Sequence, residues 1–461
     1  MATLAIRVLM ARALGVEALG ALLLTIGLVS LVSSVSTFGT DRAAARRIAE
    51  LGAAGRPARF AAVGVTALVV AGAGGLVATV GCLFAPGLQG LGLEAEMATA
   101  FRNLAPMCFG LALGMSMLGI SRGHHDTRGR AFFRDALGAV LRLAAVGLAV
   151  GLSSRMSHVA LAFGAAVATS ELIFVAYGAG RGWLRGTWRV DRELLATLPS
   201  HAGLTLLNQV RSWFDLVLLG LVAPLPVVGL FGVARGVGRM LSMLREVAAH
   251  RFLPVATDAV TRHDRERLSS SFILSRRLML TYLWPIVALA LLCPGAVIDL
   301  LFGGRYAEAA PVLQVLGAGA FVEGFFGYAD VSLIAKGRTS LLVRIDLVSV
   351  VVGAALIVGL ASWLGALGAA LAVVVSALLR VAWSSRAGET PETATGRLWD
   401  LRFFGWLALV CAPAVLAAAG AHAAGLGSLP RLVVVGLAAG LPAVFTVGPA
   451  LLPSRAPTSA G

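Results

Sequence analysis

Apolar runs of about 20 residues follow one another along almost the whole chain, and short polar stretches between them carry most of the charge. Runs of this length cross the roughly 30 Å hydrocarbon core of a bilayer as helices. The pattern predicts helices at 1–16, 18–38, 60–84, 100–120, 131–152, 158–179, 199–221, 227–247, 278–302, 311–334, 341–363, 365–385, 403–422 and 430–452. The predicted fold class is therefore an all-α integral membrane protein of about 14 transmembrane helices. No segment between the runs is long enough for a separate soluble domain. The first run is short, because sixteen residues rise only about 24 Å, and it carries Arg7 and Arg12. Either those arginines snorkel or the chain naturally starts upstream of Met1; the second is expected.

The polar stretches alternate in charge. One set holds Arg42, Arg46, Arg47, Arg56 and Arg59, then Arg122, Arg128, Arg130 and Arg134, then Arg181, Arg185, Arg189 and Arg192. It continues with Arg251, Arg262, Arg265, Arg267, Arg276 and Arg277, and ends with Lys336, Arg338, Arg386, Arg397 and Arg402. The other set is nearly bare, with Arg12, Arg155 and Arg305 beside Glu94, Glu96 and Glu308. Cytoplasmic loops are the arginine-rich ones, so both termini are expected in the cytoplasm. The alternation also supports the helix count.

A weak internal repeat adds organisation. Leu14-Gly15, a turn, Gly20, an apolar run and Arg42 recur as Leu219-Gly220, a turn, Gly229, an apolar run and Arg251. The expected domains are an N-lobe at 1–179, a cytoplasmic linker at 180–198, a C-lobe at 199–385, a second linker at 386–402, two further helices at 403–452 and a tail at 453–461. Two parallel six-helix halves place a transporter's substrate site between them.

Composition agrees: 58% of residues are hydrophobic and 13% charged, against about 25% charged in a globular domain. The formal charge of +15 does not indicate nucleic acid, because the arginines sit in short loops between apolar runs. Cys82, Cys108, Cys293 and Cys411 have no metal-ligand spacing and read as small buried hydrophobes. No cofactor or metal is expected.

The informative residues are charges inside the apolar runs. Arg211 and Asp215, and Arg235 and Arg239, are spaced i, i+4 and so share helix faces. Each charge costs roughly 2.5–3.5 kcal/mol near the midplane and usually faces a bundle interior or a water-filled path. Arg211 and Asp215 can neutralise one another; Arg235 and Arg239 share a sign and cannot. Arg142, Arg344 and Arg380 lie within about two turns of basic loops and read as snorkelling. Glu171, Asp215, Glu323 and Asp330 are the intramembrane acids. Such acids either bind a proton or sodium ion and couple transport, or pair with the arginines.

Three stretches carry a family resemblance: Ala11–Glu50 (ARALGVEALGALLLT…STFGTDRAAARRIAE), Phe214–Met240 (FDLVLLGLVAPLPVVGLFGVARGVGRM) and Leu300–Gly319 (LLFGGRYAEAAPVLQVLGAG). A turn at Trp363–Ala370 (WLGALGAA) adds to them. In order and spacing they resemble the bacterial oligosaccharide flippases of the multidrug/oligosaccharidyl-lipid/polysaccharide exporter superfamily. The resemblance implies two six-helix lobes around a central cavity, plus two C-terminal helices. It implies a transporter, not an enzyme, that moves an undecaprenyl-diphosphate-linked glycan between leaflets, with polysaccharide polymerase and glycosyltransferases as partners alongside membrane lipid. Arginine suits a diphosphate because its planar fork donates to two oxygens at once. Arg235, Arg239, Arg211, Arg142 and Arg7 are the candidate diphosphate ligands, and Asp215, Glu171, Glu323 and Asp330 the coupling or charge-pair acids.

Rival readings are a peptidoglycan-precursor flippase, a multidrug/cation antiporter of the same superfamily, and a membrane-embedded polysaccharide polymerase or ligase. The excess of intramembrane arginine and the last two helices speak against the antiporter, and the short outer loops against the enzyme. Gly72, Gly74 and Gly75 lack the last glycine and the strand of a nucleotide loop. His124-His125-Asp126 lies in a basic loop where adjacent side chains diverge, and Thr390–Thr395 reads as a polar linker.

Overall fold

The computed structural model describes residues 2–84, 95–186, 189–262, 264–326, 333–388 and 401–451. Asp330, Glu94, Arg397, the 390–395 run, the 453–461 tail and most of the 386–402 linker lie outside them. Among the described residues every regular element is helical, and fourteen long helices account for the apolar runs. The chain forms two compact units, Met1–Gly229 and Leu230–Gly461.

Unit 1 contains α1 (Ala2–Ala13), α2 (Val16–Ser36), α3 (Thr40–Ala53), α4 (Phe60–Phe84), α5 (Ala95–Gly123), α6 (Leu137–Leu152), α7 (Met156–Gly180) and α8 (Arg192–Val222). A seven-residue π segment, Arg130–Ala136, leads into α6. α5 is the core element, packed by α2, α3, α4 and α7. Small residues allow these approaches: Gly75 faces Ala112, and Gly110 faces Ala168. α6 instead packs on α1 and α7 and turns large apolar side chains outward, Leu148 at 68% and Leu152 at 87% exposed. An apolar exterior over a close-packed small-residue interior is what a bilayer solvent demands.

α2 shows how polar groups survive in that solvent. Thr25, Ser30, Ser33 and Ser34 are buried, and each hydroxyl donates to the carbonyl four residues back, at 2.6–2.9 Å. Hydrocarbon offers no other partner. The helix ends at Phe38 and Gly39, both left-handed, with φ 50° and 74°. α3 then leaves with Ala43, Ala44, Ile48 and Leu51 buried. This amphipathic helix occupies what the hydropathy pattern left as a basic loop.

Unit 2 contains α9 (Leu225–Thr261, its first turn counting with unit 1), α10 (Arg265–Leu292), α11 (Pro294–Phe302), α12 (Ala309–Phe326), α13 (Thr339–Gly388), α14 (Leu401–Ala423) and α15 (Ser428–Leu451). α13 is two spans, broken at Gly365 (φ 56°, ψ −130°), where the sequence places the gap between 341–363 and 365–385. α12 lies between α10 and α13, and α15 packs on α10 and α14.

Two expectations are corrected. The single helix at 278–302 is bent by 92° between Leu292 and Pro294. Pro294 has no N–H to donate backward and Cys293 leaves the helical region (φ −134°, ψ 44°). The helix at 227–247 runs on to Thr261, so its 37 residues rise about 55 Å, well beyond a bilayer core. Hydropathy marks where a helix leaves lipid, not where it ends.

Gly39 allows a test of the α2–α3 corner. A Cβ there would meet the His201–Ala202 backbone of α8 and hold a left-handed φ, whereas Gly15 has extended φ and nothing within 4 Å. Gly39→Ala is expected to lower Tm in detergent by several degrees and Gly15→Ala to leave it within about one. Equal melting of the two would show that the corner is not tightly packed.

Candidate functional site

The buried face of α7 presents Val167, Ser170, Glu171, Phe174 and Gly178 toward the rest of unit 1. Glu171 is only 5% exposed. It fits because Gly114 of α5 has no side chain: a Cβ there would fall on the Glu171 carboxylate. The carboxylate's partner is Arg134, whose Nε donates to Oε1 at 3.2 Å and Oε2 at 3.0 Å. Arg134 also donates from Nη2 to the Met115 sulfur at 3.2 Å. A carboxylate this deep requires such a cation, since removing one partner of a buried pair leaves an uncompensated charge.

Arg142 lies further along the same helical run. Its Nε donates to the Gly138 carbonyl at 2.8 Å, and it is near enough to feel the charges of Glu171, Arg134 and Asp135. The backward bond to Gly138 points the guanidinium toward the arginine-rich end, as snorkelling requires. Arg7 is buried on α1, the helix that packs along α6. Unit 1 thus brings two of the sequence's candidates, Arg142 and Glu171, together with Arg134, which the sequence reading counted among the loop arginines, while Arg7 lies on the neighbouring α1. Arg134 was hidden because it was counted with the basic turn Arg128–Arg130, although the helix predicted at 131–152 already contains it.

The other candidates divide between the two units. Asp215 on α8 is buried and accepts from the Leu216 amide at 2.8 Å, while Arg211, one turn earlier, is exposed. In unit 2, Arg235 and Arg239 share a face of α9 and are partly buried. Glu323 on α12 lies 3.8 Å from Arg380 on α13, their side chains 17% and 12% exposed. Arg380 therefore does not snorkel; the partner across the helix interface holds it inside. Arg344 is exposed. Each unit consequently carries its own carboxylate–guanidinium pair between packed helices.

Several loop charges prove to be structural. Asp191 is buried, caps α8 by accepting from the Leu194 amide at 2.9 Å, and draws Arg59 (3.4 Å) and Arg47 (3.6 Å). Arg47 also pairs with Glu193. Asp41, buried at the start of α3, accepts from the Thr205 hydroxyl at 3.1 Å. His124 stacks on Trp183 (5.0 Å) and meets the edge of Phe60 (5.3 Å); burial there holds its pKa below the ordinary value. Desolvation would raise the Asp126 pKa, but bonds from the Gly129 amide and the Tyr177 hydroxyl, with nearby Arg181, pull it below the usual range. The His124–Asp126 turn is thus held by packing and capping.

The Arg134–Glu171 pair makes a double-mutant prediction. Arg134→Gln alone is expected to destabilise unit 1 by about 2 kcal/mol, because the carboxylate loses both its charge-assisted hydrogen bonds and keeps only the more distant charge of Arg142. Arg134→Gln with Glu171→Gln should recover at least half of that loss in a denaturation cycle. Additive effects would mean that the two side chains do not depend on each other.

No protein-family model matches the chain, and no curated protein sequence matches it. Solved structures do. The fold is similar to that of lipid II flippase MurJ in an inward closed conformation, with TM-score 0.71, 13% identity and 97% of each chain covered. It is also similar to an inward-facing multidrug resistance MATE family transporter of the MOP superfamily, with TM-score 0.67, 18% identity, and 84% of this chain and 94% of that one covered. A MATE in the bent conformation aligns at TM-score 0.54 and 19% identity over 84% of this chain and 92% of its own. At these identities the likeness is one of fold: the chain has the architecture of multi-pass membrane transporters.

Proposed function

We propose that the protein is a lipid-linked oligosaccharide flippase of the bacterial inner membrane. It translocates undecaprenyl-diphosphate-linked sugar units by alternating access of its two six-helix halves, in surface polysaccharide export. Both termini lie in the cytoplasm, and the glycan's polymerase and glycosyltransferases are its functional neighbours. The observation that carries this reading is the sign of the intramembrane charge. Arg7, Arg134, Arg142, Arg211, Arg235 and Arg239 stand in or beside apolar helical runs in which the acids are fewer, chiefly Glu171, Asp215 and Glu323, and this excess suits a doubly anionic diphosphate. A carrier of cationic drugs would be expected to show the opposite sign. The lipid tail stays in the bilayer, so only the headgroup needs a polar path. Glu171, Glu323 and Asp215 either neutralise arginines between turnovers or take up the coupling proton or sodium ion.

One observation favours a second reading. The likeness to MurJ extends over 97% of this chain, against 84% for the MATE transporters. A flippase for a peptidoglycan precursor would present the same headgroup chemistry.

Replacing Arg235 and Arg239 together by Gln is expected to abolish surface polysaccharide while the protein still inserts at its normal level. Unchanged polysaccharide at equal protein would sink the proposal. Lysis on depletion of the protein, with surface polysaccharide intact, would establish the second reading instead.

A further inference from the structure

The arginines of unit 1 that face the start of α6 are not all accounted for by their acids. Arg122 at the end of α5 lies within electrostatic reach of Arg130, Arg134, Arg42 and Asp41. Arg142 in turn lies within electrostatic reach of Arg134, Glu171 and Asp135, and Arg134 bonds Glu171 directly. With Asp126, which caps the turn before Arg130, that makes five guanidiniums against four carboxylates, and each carboxylate already has a contact. Asp41 accepts from Thr205, Glu171 accepts from Arg134, and Asp135 stands 3.7 Å from Arg130. The last distance is too long for a hydrogen bond. The Nε of Arg130 is accordingly buried with no hydrogen-bond partner, although 40% of its side chain is exposed.

The π segment explains how these charges come into line. Eight residues of α-helix make about 2.2 turns, which would set Arg142 about 80° around the helix from Arg134. The wider turns of Arg130–Ala136 reduce that offset. Arg130 and Arg134, four apart, also share a face. The three guanidiniums therefore descend one side of the helix, from the arginine-rich end toward the middle of α6. Arg142 reaches back over Gly138 beside Ser170, next to Glu171: a Cβ on Gly138 would lie 3.4 Å from its Nη2 and 3.3 Å from the Ser170 Cβ. Glu171 thus has a second cation in reach and would not be stranded if Arg134 turned elsewhere.

We propose that Arg130, Arg134 and Arg142 form a phosphate-binding ladder in unit 1, and that Glu171 is the counter-ion a phosphate displaces from Arg134. The ligand is a phosphate or diphosphate headgroup on a lipid. The role in transport rests on the flippase reading above; the binding itself does not. A phosphate meets the half-exposed Arg130 guanidinium first, in competition with Asp135, draws Arg134 off its carboxylate, and leaves Glu171 to Arg142. The exchange leaves Glu171, the buried carboxylate, with a cation, while Asp135, whose side chain is 56% exposed, can be solvated; a medium that penalises bare ions requires this of a buried charge.

The test uses the full-length purified protein with inorganic pyrophosphate, undecaprenyl diphosphate carrying no sugar, and phosphatidylglycerol in nanodiscs as separate probes. Arg130→Gln with Arg134→Gln is expected to weaken pyrophosphate binding at least tenfold. Glu171→Gln is expected to tighten it severalfold, because Arg134 is released from its competitor, and Arg134→Gln in that background should cancel the gain. A Glu171→Gln protein that is folded by gel filtration and melting but binds pyrophosphate no better than the parent overturns the exchange. Arg130→Gln alone, at a half-exposed side chain, serves if the double variant fails to fold; unchanged affinity there overturns the ladder. Preference for undecaprenyl diphosphate over phosphatidylglycerol supports a substrate path, and equal binding of the two overturns it in favour of a bulk-lipid site. Loss of polysaccharide export is scored separately, so the flippase reading can fail while pyrophosphate binding and its Glu171 dependence stand.

Discussion

The constraint on which this structure depends is that hydrocarbon solvates neither a bare charge nor a bare backbone dipole. Helices answer the second requirement without help from neighbours. The serines and threonines of α2 answer it locally, by returning each hydroxyl to the carbonyl one turn back. Charges cannot be settled so locally. Glu171 is tolerable on α7 because the π segment supplies Arg134 and α5 supplies the vacancy at Gly114. Three elements distant in sequence must therefore be in place before one carboxylate can be buried, and the ion pair in effect specifies their packing.

The same reasoning separates what could be read in advance from what could not. Helix existence and order were legible, because an apolar run of about 20 residues has one stable answer in a bilayer and arginine-bearing loops alternate with bare ones. Gly365 between two apolar runs was also readable as a break. The continuation of α9 to Thr261 and the amphipathic α3 were not, since hydropathy falls when a helix enters water whether or not it ends. The bend before Pro294 had a visible cause, but its 92° angle is set by packing.

The charged residues show the same division more sharply. Hydropathy identified Glu171 and Glu323 as anomalies at once, because any acid in an apolar run stands out. It could not name their partners, which lie 37 and 57 residues away on other helices. Arg134 was masked by neighbouring loop arginines, and Arg380 by its closeness to a basic end. Positive-inside counting treats every arginine near a membrane face as equivalent. The structure shows that they are not: Arg47 and Arg59 anchor the Asp191 cap, whereas Arg134 and Arg380 balance acids between helices.

An ion pair between helices is weak evidence for stability, because a well-packed apolar pair of similar volume often does as well or better. Gly114 could carry a side chain and position 171 a leucine, and α5 and α7 could still pack through contacts such as Gly110 on Ala168. That a carboxylate occupies the site, with one guanidinium bound and a second in reach, is easier to understand if the pairing changes during the protein's work. A π segment fits the same view, since such irregularities sit frequently at functional positions. In the exchange proposed for unit 1, the charge pair is the place that responds to an anion, and the apolar contacts around it keep the helices in place while the partners change.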